Sequence, residues 1–197
     1  MNRAIIVSRK YIERIKARLG KEEGIPTDSF KVGVIREYTI NSGIRYFIET
    51  GTYRGKTTEA VHDLFTRLHT IELDPYLHRI STCHLKQYPN ITCHKGDSAE
   101  VLNQILQGID DPVLYWLDAH YSRGITEKGI DFTPIVRELE VISKHRFFKQ
   151  SIILIDDARD FTGREDYPTI PALHEWIQKR WPECSFAVKE DIIRICP

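Results

Sequence analysis

The chain carries no formal net charge, its 28 lysines and arginines being matched by 28 aspartates and glutamates. No overall field therefore draws it to nucleic acid, and such a partner is not expected beyond a local patch. The cysteines, Cys83, Cys93, Cys184 and Cys196, are widely spaced and form no C-x-x-C pair. That argues against a thiolate zinc knuckle and for reduced thiols in a cytoplasmic setting. Between Met1 and Gly20 the only apolar run is Ala4–Val7, too short for a signal core or a membrane span. Two glycine signatures are also missing. Gly51-Thr-Tyr-Arg-Gly55-Lys56-Thr57 is one residue short of the G-x-x-x-x-G-K-[ST] loop that encircles a phosphate. Tyr53 stands where a G-x-G-x-x-G dinucleotide turn needs its second glycine.

What is present is an ordinary globular composition, 41% hydrophobic and 28% charged over 197 residues. A chain of this size forms one domain that buries about 70% of its unfolded surface. Its most informative stretch is Tyr46-Phe-Ile-Glu-Thr-Gly-Thr-Tyr-Arg-Gly-Lys-Thr-Thr58. Tyr46, Phe47 and Ile48 read as a buried strand, and Gly51 and Gly55 bracket a tight turn. Ala60, Val61, Leu64, Phe65 and Leu68 then recur at helical intervals, predicting a helix from Arg54 to Leu68. Strand, glycine turn and helix bring bare N–H groups up to a nucleotide-like ligand. Glu72, about 20 residues past Gly51, ends the next strand, where its carboxylate can accept both hydrogens of a ribose diol.

The same unit recurs along the chain. Strands are predicted at 69–73, 91–95, 113–117 and 151–155, separated by helices at 75–87, 99–106 and 134–145. A last helix at 170–181 precedes an antiparallel pair at 185–189 and 191–196. The alternation predicts an α/β fold, a doubly wound, Rossmann-like, mostly parallel seven-stranded sheet. Two N-terminal helices, Ser8 to Leu19 and Ser29 to Ile40, are expected to form a segment (1–43) packed on a core domain (44–197). The basic residues from Arg3 to Lys21 read as a solvated helix face. Trp116, Trp176 and Trp181 read as core, and the histidines other than His120 as structural or solvated.

Each strand of the expected parallel sheet ends in acid: Glu49, Glu72, Asp97, Asp118 and the pair Asp156-Asp157. Ligands bind outside these ends in open α/β sheets, although Asp97-Ser98 also suits a helix cap. Three carboxylates at Asp118, Asp156 and Asp157 would repel one another unless a cation lay between them, and hard oxygen donors suit Mg²⁺.

The segment Glu49-Thr-Gly-Thr-Tyr-Arg-Gly55 resembles the first motif of class I S-adenosylmethionine (SAM)-dependent methyltransferases. Trp116-Leu-Asp-Ala-His120 and Leu154-Ile-Asp-Asp157 resemble the metal segments of the macrocin and aminocoumarin-sugar O-methyltransferases. The likeness runs over roughly residues 40–196 in order and spacing, and Ala119-His120-Tyr121-Ser122 departs from it. It implies SAM binding by Glu49, Thr50, Gly51, Thr52, Tyr53, Gly55, Thr57, Glu72, Asp97, Ser98 and Asp118. It further implies a divalent ion on Asp118, Asp156 and Asp157, and O-methylation of a small-molecule hydroxyl, a sugar among the acceptors. Asp118 and His120 are the candidate bases. The loop from His120 to Thr133 and the segment from Arg159 to Tyr167 read as lids or as exposed connectors. Two rival functions stand beside this one: a nucleotide-phosphate enzyme using Lys56 and Thr57, and a non-catalytic binding protein of the same fold. The acceptor and the oligomeric state, monomer or homo-oligomer, stay open at the level of sequence.

Overall fold

The computed structural model describes residues 28–118 and 133–196. The predicted helix Ser8 to Leu19, residue His120 and nearly all of the loop to Thr133 lie outside them. Within the described residues, seven short runs form strands. They are β1 (Tyr46–Thr50), β2 (Arg67–Glu72), β3 (Ile91–Lys95), β4 (Val113–Leu117), β5 (Ile152–Ile155), β6 (Ser185–Lys189) and β7 (Ile192–Cys196). The α-helices are α1 (Asp28–Ser42), α2 (Lys56–Val61), α3 (Pro75–Leu85), α4 (Ser98–Leu106), α5 (Ile135–Ile142) and α6 (Ile170–Arg180).

The strands join one sheet in the order β3-β2-β1-β4-β5-β7-β6. Strands β1 to β5 pair in parallel, and β7 runs antiparallel to both β5 and β6. β1 lies between β2 and β4, so chain order reverses there and a crevice opens at the carboxyl ends of β1 and β4. Strand residues alternate between two cores, as a two-residue period requires. Ile48, Tyr115, Leu117, Ile153 and Ile155 face Leu102 of α4, Leu139 of α5 and Ile177 of α6. Phe47, Leu114, Trp116 and Leu154 face Val34 and Ile35 of α1 and Val61 of α2. No helix among the described residues is long and apolar enough to cross a membrane.

The helix predicted over 54–68 is shorter than its periodicity implied. α2 ends at Val61, a 3₁₀ turn covers His62–Leu64, and Leu68 already belongs to β2. Tertiary hydrogen bonds end it. Asn90 Nδ2 donates to the carbonyls of His62 and Phe65, at 2.9 and 3.0 Å, and Thr66 N–H donates to Arg45 O at 2.8 Å. Phe65 and Leu68 are buried as expected, but Phe65 does so against Phe47, with ring centroids 5.0 Å apart. The helix predicted over 134–145 likewise ends at Ile142.

Gly55 starts α2 with φ +77, and a Cβ there would sit 2.8 Å from Leu85 Cδ1. Gly55→Ala combines a left-handed backbone with overpacking, so it should cost about 1–3 kcal/mol of unfolding free energy. Urea unfolding measures this, and an unchanged midpoint would contradict the assigned turn geometry.

Candidate functional site

The turn after β1 is built on β2. Gly51 N–H and Thr52 N–H both donate to Ile71 O, at 2.9 and 3.2 Å, and Gly55 N–H closes the turn on Thr52 O at 2.8 Å. Beneath it, Glu49 is 2% exposed. Its Oε2 accepts the hydroxyls of Thr58 and of Thr70, the latter at 2.7 Å, and Thr52 Oγ1 lies 2.6 Å from Thr70 Oγ1. Burial pushes the Glu49 carboxyl up to about 8, against the lowering effect of those hydroxyls. The described partners of Glu49 are thus the chain's own threonines, and it braces the turn from below. Thr57 lies partly exposed in the first turn of α2.

Glu72 reaches the turn from the neighbouring strand. Its Oε2 accepts Tyr53 N–H at 2.7 Å and its Oε1 accepts Asp74 N–H at 3.0 Å. Tyr53 adopts φ +49, which turns its N–H toward this carboxylate. Burial raises the Glu72 pKa, and the two backbone donors oppose that shift. A carboxylate has about four acceptor positions, so capacity remains for a diol hydroxyl beside these backbone donors. The arrangement also bears on the phosphate reading. The turn N–H that would cradle an anion already serves one, and Glu72 would repel a second.

Asp97 caps α4 as its residue type allowed, accepting Ala99 N–H at 3.1 Å and Glu100 N–H at 3.4 Å. It also forms a two-bond pair with Arg137 of α5, at 3.0 and 2.9 Å. Burial would raise its pKa, but the Arg137 guanidinium and the cap hold it below the usual carboxylate range. Its acceptor sites are therefore largely taken. The buried Ser98 follows it, near Glu138 of α5. Glu138 is 1% exposed, burial pushes it up to about 7, and its Oε1 has no hydrogen-bond partner among the described residues. Nothing in the sequence singled out Arg137 or Glu138; both sit on a helix whose apolar face dominates its pattern.

The predicted carboxylate triad does assemble. Asp118 N–H donates to Thr50 O at 3.0 Å, and Asp156 N–H donates to Leu117 O at 3.0 Å, which sets the ends of β4 and β5 side by side. Asp157 follows at φ +54, swinging its side chain round beside that of Asp156. One oxygen from each of Asp118, Asp156 and Asp157 lies within 4.8 Å of the others. Three hard oxygen donors in that space fit a divalent cation such as Mg²⁺. Lys31 of α1, absent from the sequence reading, also reaches this cluster. Its Nζ lies 2.5 Å from Asp156 Oδ2 and 3.3 Å from Asp157 Oδ1. Arg159 lies 2.9 Å from Asp157 Oδ1 and pairs with Asp191 as well. Even so, burial and the charges of Asp118 and Asp157 push the Asp156 pKa up, outweighing the lowering effect of Lys31.

A narrow cleft beside the triad is lined by Thr133, Glu138, Phe161 and Tyr167. Phe161 and Tyr167 meet edge-on with centroids 5.2 Å apart. Part of the 159–167 segment therefore forms a wall of the cleft, leaving the connector reading for its exposed residues. Among the histidines, His69 Nδ1 lies 2.9 Å from His94 Nε2, and His145 bonds Ile109 O, both away from the triad.

No protein-family model matches the sequence, and no curated protein matches it. Solved structures do match in three dimensions. A Staphylococcus aureus protein provisionally assigned as a caffeoyl-CoA O-methyltransferase aligns with a TM-score of 0.64 at 14% identity, over 95% of this chain and 98% of its own. A Podospora anserina methyltransferase bound to S-adenosylhomocysteine (SAH) aligns at 0.63 and 15% identity, over 100% and 99%. A Bacillus cereus O-methyltransferase in complex with SAH aligns at 0.57 and 15% identity, over 98% and 94%. At such identities the likeness is one of architecture. With its strand order and its single reversed strand β7, the chain has the Rossmann-like fold that these solved methyltransferases share.

Proposed function

We propose that this protein is a SAM-dependent O-methyltransferase acting on a hydroxyl of a small molecule, sugars included, with a divalent cation at the Asp118–Asp156–Asp157 cluster. The observation that supports the reading is Glu72, fixed by the N–H groups of Tyr53 and Asp74 at the carboxyl edge of the sheet, where open α/β sheets bind ligands. Glu72 accepts the ribose hydroxyls. Gly51, Thr52, Tyr53 and Gly55 give the backbone its close approach, and Thr50 ends the strand beside them. Thr57 faces the cofactor's amino-acid part, which Glu49 supports from below through Thr58. Asp97 and Ser98 form the adenine floor, Asp97 by holding the start of α4 and Arg137 in place. Asp118 borders both the cofactor and the acceptor.

SAM supplies a methyl group on a positively charged sulfur, and transfer mainly requires alignment and a deprotonated acceptor oxygen. A divalent ion would lower the pKa of a coordinated hydroxyl. Asp118, with His120 as the other candidate, takes the acceptor's proton. Phe161 and Tyr167 exclude water and hold the acceptor's apolar surface.

SAM and SAH should bind and ATP should not, because Glu72 opposes a phosphate at the turn. Calorimetry giving ATP heat and none for SAM would overturn the assignment. Glu72→Ala should weaken SAH by a charge-assisted contact worth roughly 1.5–3 kcal/mol, about 10- to 150-fold. An unaltered affinity would remove Glu72 from the ribose site.

Asp157→Asn keeps size and a residue type that tolerates positive φ. It should weaken Mn²⁺ binding by at least about tenfold while SAH affinity stays within about threefold. Equal Mn²⁺ affinity in variant and wild type would exclude Asp157 as a ligand.

A further inference from the structure

The acidic cluster is not open to solvent ions on equal terms, because one of its neighbours is a cation belonging to the chain. Lys31 is placed there by the register of α1. Val34 and Ile35, three and four residues on, are both buried, so Lys31 shares the helix face that packs on the sheet. A lysine on an inward face ordinarily carries its ammonium out to water along its stem. This one runs inward instead: its side chain is only 16% exposed and its Nζ touches Asp156 and Asp157. The helix that carries it is tied to its neighbour. Arg36, five residues on, donates to Ala60 O at 2.5 Å and pairs with Asp63 at 3.0 Å. Residues 125 positions apart in the chain are thus joined by an anchored ammonium.

We propose that Lys31 is a built-in cation of the Asp118–Asp156–Asp157 cluster, and that a divalent ion binds there only by displacing the Lys31 ammonium. A Mg²⁺ ion sits about 2.1 Å from its ligand oxygens. The Lys31 Nζ already stands among the cluster's carboxylates, 2.5 Å from Asp156 Oδ2 and 3.3 Å from Asp157 Oδ1, where an incoming ion would have to be held. Two positive charges held by the same carboxylates would also repel each other. Ammonium and metal thus compete for the same small group of carboxylates. A compact ammonium with three donors is well suited to such a place, and its flexible four-carbon stem lets it leave. The consequence is a site whose carboxylates are held together before any metal arrives, at the cost of a lower metal affinity. Lys31 acts here as a positioning residue: it orders the ligands and sets how much metal is needed to load them.

The inference rests on the cation site proposed above, and the test separates the two. Mn²⁺ is titrated into wild type and Lys31→Met, followed by electron paramagnetic resonance of the free ion. SAH affinity is measured on both proteins. With the competitor gone, Lys31→Met should bind Mn²⁺ at least about tenfold tighter, equivalent to about 1.4 kcal/mol. Affinities within threefold of each other, or no Mn²⁺ binding by either protein, would overturn the proposal. Failure of wild type to bind SAH would instead strike the methyltransferase reading and leave the competition standing. Should Lys31→Met not fold, wild type alone decides. Acetylation of Lys31, followed by peptide mass spectrometry, should speed up when Mn²⁺ is added. A rate unmoved by saturating Mn²⁺ would show that the ammonium had not been displaced.

Discussion

A carboxylate withdrawn from water costs several kcal/mol unless hydrogen bonds or an opposite charge answer it. This sheet gathers acids at the carboxyl ends of five adjoining strands, and the site is shaped by how each is answered. Glu49 is met by threonine hydroxyls, Glu72 by two backbone N–H groups, and Asp97 by a cap and a guanidinium. Asp156 and Asp157 are met by an ammonium from a helix far away in the chain, and Asp157 also by the Arg159 guanidinium. Each answer also fixes a direction. The donors that make Glu72 tolerable fix its carboxylate against the β1 turn, and those that satisfy Asp97 hold α4 and α5 together. Stability and ligand readiness here come from the same contacts.

The fold explains why these acids meet. Parallel pairing puts the carboxyl ends of β1 to β5 along one edge, and reversal of strand order beside β1 opens that edge into a crevice. The bonds from Asp118 N–H to Thr50 O and from Asp156 N–H to Leu117 O pass the register from strand to strand. The left-handed Asp157 adds the last adjustment, bringing two consecutive side chains to one place that a regular strand would separate.

Much of this was legible in the sequence because it is local. Turn glycines, strand-end acids and the strands 91–95 and 113–117 depend on neighbouring residues, and the structure places them as expected. The over-long helix at 54–68 shows the limit. Phe65 and Leu68 have helical spacing and are buried, but periodicity cannot say whether a helix or a strand buries them. Lys31, Arg137 and Glu138 were invisible for a related reason. Each acquires its meaning from a partner distant in the chain, and a lysine on a helix reads as solvated until its register against Val34 and Ile35 is considered. For Phe161 and Tyr167 the signal was only their place after Asp156-Asp157, which marked the segment without assigning its wall.

A crystal structure of the protein with SAH tests the central claim most directly, since it asks whether the acid edge receives this cofactor through Glu72. Both ribose hydroxyls are predicted within about 3.2 Å of the Glu72 carboxylate, with the Tyr53 and Asp74 N–H bonds to it retained. SAH bound away from the β1 turn, or a ribose that meets no oxygen of Glu72, would contradict the account.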